Sequence, residues 1–112
     1  MEPKDLQLLA PWRALSRERA EHFSRELEHE LDVHHPLYGV ELKPIALSSQ
    51  ADDVLFQLND GRVAMVHLTW KSRPETPPWP HHTVYLTFED WVQKVMLPEH
   101  DDFTYASSEP HA

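Results

Sequence analysis

A chain of 112 residues with 40% hydrophobic side chains is one domain's worth, able to bury a core without disulfides or metals. The absence of cysteine removes thiolate catalysis, thiolate zinc sites, iron–sulfur clusters and disulfide redox chemistry. With 19 acids against 10 Lys and Arg, a net charge of −9, nucleic-acid and anionic-membrane partners are not expected, because clustered cations are what hold them.

Residues 1–15 read as a loose, Pro-punctuated arm with Leu6, Leu8, Leu9 and Trp12 as anchors. The acid at Glu2 and the short run Leu8–Ala10 do not make a secretory signal. No apolar run approaches the ~20 residues of a membrane span. A cytoplasmic, bacterial-type protein is the expectation. Ser16 is an N-cap candidate for a first helix. Ala20, Phe23, Leu27 and Leu31 form its apolar stripe, and it should end before Pro36. His22, Glu26 and His29 lie at one-turn spacing on what reads as the opposite, polar face. Imidazole and carboxylate so spaced can share zinc or nickel, though a solvated face is the plainer reading. The metalloprotease pattern nearly begun at His29-Glu30 fails: the fifth residue is Val33, and His34 is rotated by ~100° off the required face. The pairs His34-His35 and His81-His82 sit at element boundaries, where loop histidines are ordinary.

Val40, Leu42, Ile45 and Leu47 suggest a strand interrupted at Pro44, hence an edge strand or a bulge. An exposed edge there could pair two copies, so the chain is expected to be a monomer or a homodimer. The strongest local pattern follows. Asp53–Leu58 and Arg62–Trp70 flank Asn59-Asp60-Gly61, a β-hairpin. A three-residue loop with a glycine bulge sets Phe56 opposite Ala64 and Val54 opposite Val66. Val54, Phe56, Leu58, Ala64, Val66, Leu68 and Trp70 then share the core face, and Met65, His67 and Thr69 face away. A two-residue turn would reverse those faces. Lys71–His82 holds four prolines and no glycine and reads as a stiff irregular loop. Thr83–Phe88 alternates as a strand. Thr87 caps a second helix with Phe88, Trp91, Val92, Val95 and Met96 on its apolar side, which Pro98 should stop. Residues 1–97 thus form one domain, and 98–112 an acidic, disordered tail. The fold class is α+β: a small antiparallel sheet of three to four strands, with an N-terminal and a C-terminal helix packed on one face.

His35-Pro36-Leu37-Tyr38-Gly39, Asp52-Asp53-Val54-Leu55-Phe56 and Val66-His67-Leu68-Thr69-Trp70, with Glu75 and Trp79-Pro80 beyond, carry a resemblance. The stretch from His35 to Pro98 resembles a group of short bacterial proteins of uncharacterised function. The resemblance implies that hairpin and Pro-rich loop are a shared body; it implies no activity, cofactor or catalytic residue.

Two glycines leave no room for a nucleophile elbow, a P-loop or a dinucleotide fingerprint. The catalytic candidate is His67, inside a strong strand, with Asp52, Asp53 or Glu75 able to orient it as a general base and His82 in support. A partly buried histidine bonded to the sheet is the structural alternative. The binding candidates are Trp70, Arg73, Glu75, Trp79 and His82. Trp and Arg dominate binding hot spots, and proline limits the entropy lost on ordering. Against this, Trp79 can simply pack back on the sheet, and Trp70 and Trp91 suit the core. The chain reads as a protein- or peptide-interaction module without a cofactor, with a small enzyme or metal-binding site around His67 as the alternative.

Overall fold

Asn59-Asp60-Gly61 turns the chain as its residue types dictate. The computed structural model describes residues 7–49 and 52–108. Gly61 has φ +94°, its N–H donates to Leu58 O at 3.2 Å, and Leu58 N–H donates to Arg62 O at 2.9 Å. The left-handed glycine sets the register, Phe56 opposite Ala64 and Val54 opposite Val66, as the bulged loop requires. The hairpin strands are β3 (Asp53–Leu58) and β4 (Val63–His67), with β1 (Trp12–Ala14) and β2 (Leu42–Ser48) before them and β5 (His82–Tyr85) after. All pair antiparallel in one sheet, in the order β1-β2-β3-β4-β5.

The sheet therefore has five strands where three to four were expected. The extra strand comes from the supposed arm, whose Trp12 is 2% exposed and pairs with Ser48; residues 1–6 of that arm lie outside the described residues. Pro44 sits at a bulge, where the register shifts between Pro44 and Ala46. The strand is not an edge, because β1 covers Ala46–Ser48. The free edge proposed for pairing two copies is thus occupied along that stretch.

The helices do not share a face. α1 (Arg17–Glu30), capped by Ser16 accepting from Arg19 N–H, packs Phe23 and Leu27 against Val54, Phe56, Ala64 and Val66. On the other face Trp12, Ile45, Leu55 and Val63 meet Trp91, Val92, Val95 and Met96 of the C-terminal helix. The reason is written in β3: Val54-Leu55-Phe56 is apolar without alternation and fully buried, the pattern of a strand covered on both sides.

The C-terminal helix begins at α2 (Phe88–Trp91), where Thr87 Oγ1 accepts from Asp90 N–H at 3.0 Å. It widens into a π turn over Val92–Met96 and continues as α3 (Leu97–Ser108). Pro98 was expected to stop it and does not. Leu97 N–H reaches back to Val92 O, so the proline follows directly on a turn whose hydrogen bonds already depart from the i−4 ladder that its ring would break. The stretch expected to be disordered from 98 is helical to Ser108 and tied to the N-terminal segment; residues 109–112 lie outside the described residues. Trp12 Nε1–H donates to Glu99 at 3.0 Å, and His100 Nδ1 lies 2.7 Å from Ala10 O. Among the described residues no helix is long and apolar enough to cross a membrane.

Candidate functional site

The site begins with two glutamates that belong, by position, to the core side of α1. Glu26 and Glu30 lie beside Phe23 and Leu27 on the buried stripe, and Glu30 has no exposure at all. Their carboxylates hold the backbone that follows β4. Glu30 accepts from Thr69 N–H at 2.8 Å and Trp70 N–H at 2.9 Å. Glu26 accepts from Ser72 N–H at 3.0 Å and Ser72 Oγ at 2.7 Å. Glu75 N–H donates to Glu30 O at 2.9 Å. Burial, then the hydrogen bond to Glu26, pushes the Glu30 carboxyl up to about 7. Burial also pushes Glu26 up, but the hydrogen bonds from Glu30 and Ser72 outweigh it and leave that carboxyl below its ordinary value. The two therefore share one proton near neutrality, with Glu30 as donor and Glu26 as carboxylate.

This clamp fixes an improbable backbone. Trp70 has φ 63° and Ser72 φ 54°, left-handed values that cost about 1 kcal/mol or more at a non-glycine residue. At the far end of the loop, buried His35 holds Pro80. Leu37 N–H donates to His35 Nδ1 at 3.0 Å, so Nε2 carries the proton and donates to Pro80 O at 3.0 Å.

Between these anchors opens a cleft of about 300 Å³ lined by Asp52, His67, Thr69, Lys71, Glu75 and Trp79. The β3–β4 register sets Asp53 opposite His67, and His67 Nδ1 lies 3.0 Å from Asp53 Oδ1. A carboxylate only accepts, so Nδ1 is the nitrogen that bears a proton in this contact and Nε2 is the one left to act on a substrate. Thr69 Oγ1 donates to Glu75 Oε1 at 3.1 Å, and Lys71 Nζ stands 4.0 Å from the same oxygen. Trp79 is 42% exposed, with its ring against His81 at 3.8 Å between centroids.

The structure thus gathers His67, Asp52, Asp53, Glu75 and Trp79 of the expected residues around one cleft. Others lie elsewhere. Trp70, expected in the core, is 36% exposed, its ring stacked on His22 and edge-on to Phe23 across the α1 face. Arg73 is exposed and lines no part of the cleft. His82 packs against His35 at 5.0 Å between ring centroids, and burial, then the His35 and His81 charges, lowers its pKa. The polar face drawn through His22, Glu26 and His29 does not hold together: Glu26 is 5% exposed and turned into the loop. Among the described residues no three His, Asp or Glu side chains are placed to bind a metal ion.

Glu30, Ser72 and His35 were missed as anchors. A carboxylate at i+3 from Leu27 and i+7 from Phe23, on the apolar stripe itself, was the legible signal for Glu30. Compared with known proteins, the chain matches no family model, no curated protein and no solved structure.

Proposed function

We propose that the protein is an interaction module that binds a protein or peptide partner in the cleft between the Pro-rich loop and β4. The observation that carries this reading is the clamp: two buried carboxylates hold Thr69, Trp70 and Ser72 in a strained backbone whose visible product is a fixed, solvent-facing rim. A rim ordered in advance loses little entropy on binding. Trp79 supplies a flat apolar anchor, while His67, Lys71 and Glu75 supply polar contacts around it. The net charge of −9 favours a partner with basic residues.

Co-purification from the native host tests the proposal. A Trp79→Ala, Lys71→Ala double variant should lose a stoichiometric partner that wild type retains. Arg73→Ala, off the cleft, should retain it. Retention by the double variant would move the binding surface elsewhere.

A second reading rests on the Asp53–His67 hydrogen bond. An oriented imidazole with Nε2 free can act as a general base toward a bound substrate or water. His67→Gln would then abolish turnover of a substrate found by screening, and turnover that survives the substitution would rule this reading out.

A further inference from the structure

Across the Leu68–Trp70 segment from this cleft, on the α1 side of the sheet, lies a second pocket of about 340 Å³. We infer that it binds a small organic anion, a phosphate or carboxylate carried on a flat apolar body. Two elements bring cations to it, Arg13 from β1 and Arg19 from α1, and α1 adds the His22 ring beside them. In a chain with 19 acids and 10 Lys and Arg, spare carboxylates abound, yet neither guanidinium has an ion-pair partner among the described residues. Arg19 lies instead 5.6 Å over the Phe23 ring. Two unpaired guanidinium forks opening on one concavity fit the planar, bidentate geometry of carboxylate and phosphate oxygens.

The wall of the pocket is aromatic. Trp70, placed there by its left-handed backbone, stacks on His22 at 5.6 Å and 20°, and meets Phe23 edge-on at 5.3 Å. Cations beside a half-exposed indole suit an anion whose body is flat. The volume lies within the ~300–1,000 Å³ of small-molecule pockets. Asp52 stands on the same lining and opposes an anion, which gives the proposal an effect of opposite sign to test. This inference does not depend on the peptide reading of the other cleft.

The test is calorimetric titration of the full chain with phenyl phosphate, phenylacetate and, as a neutral control, benzyl alcohol. At least one anion should bind and the alcohol should not; whichever anion is tighter identifies the headgroup. Arg13→Ala and Arg19→Ala should each weaken that binding tenfold or more, as loss of a hydrogen bond to a charged group does. Asp52→Asn should strengthen it several-fold, a gain that no folding defect mimics. Both arginines are exposed, so the variants should melt as wild type does. Absence of binding by both anions, equal binding of the alcohol, or affinities unmoved by all three substitutions would overturn the proposal.

Discussion

Glu30 is the residue on which most of the site depends. Its folded carboxyl keeps its proton to about pH 7, whereas an ordinary glutamate releases it at 4.5. A raised pKa of this sign adds stability that is complete below about pH 4.5 and is lost as pH rises toward 7. Glu26 acts oppositely: its lowered pKa adds stability above 4.5 that disappears only as pH falls below that value. Urea denaturation at pH 5 and pH 7.5 should therefore show wild type losing more stability with rising pH than Glu30→Gln. An equal change in both would mean that Glu30 is already ionised at pH 5. The two buried tryptophans allow a matched comparison. Trp12 Nε1–H is bonded to Glu99, while Trp91 Nε1 is a buried donor with no partner among the described residues. Their rings meet edge-on at 4.8 Å, so each is hemmed in by the other. Trp12→Phe should destabilise by about 1 kcal/mol more than Trp91→Phe, because only the first breaks a made bond and strands an acceptor. Chemical denaturation of the two variants settles the order. The core role of Trp91 was legible from its helical stripe. Trp70 was expected in the core as well and lies outside it, because alternation along β4 takes no account of the left-handed backbone at Trp70.

Among the elements, the hairpin was legible because its register follows from three loop residues and an alternating strand, both local. Gly61→Ala tests that reading. Nothing lies within 4 Å of the added Cβ, so its cost is the φ of +94° alone. A loss of about 1 kcal/mol is expected from equilibrium unfolding. A neutral substitution would mean that the loop relaxes to another turn. β1 was not legible, since three residues carry too little pattern to separate a strand from an arm; what makes it a strand is Trp12, buried from the far side by the C-terminal helix. α3 was hidden by Pro98 for a related reason. Local propensity says stop, but the π turn, Met96 beneath Leu9 N–H and Glu99 beneath Trp12 supply a tertiary answer. Placing both helices on one face followed from reading only one side of the sheet; Leu55, Val63 and Met65 make the other side apolar too.

At the scale of the whole molecule, a sheet covered on both faces provides a rigid base, and the segment after β4 crosses its end between two concavities that share Asp52. The candidate residues His67, Asp53, Glu75 and Trp79 could be picked from the chain by type. Their convergence could not, because it depends on glutamates of α1 reaching the loop backbone across 39 to 46 residues of sequence. On this reading the loop is ordered before any partner arrives. Hydrogen exchange of the free protein tests it most directly. The amides of Thr69, Trp70 and Ser72 should exchange as slowly as those within β4 in wild type, and far faster in a Glu26→Ala, Glu30→Ala variant. Exchange of those three amides at the rate of unstructured peptide in wild type would contradict it.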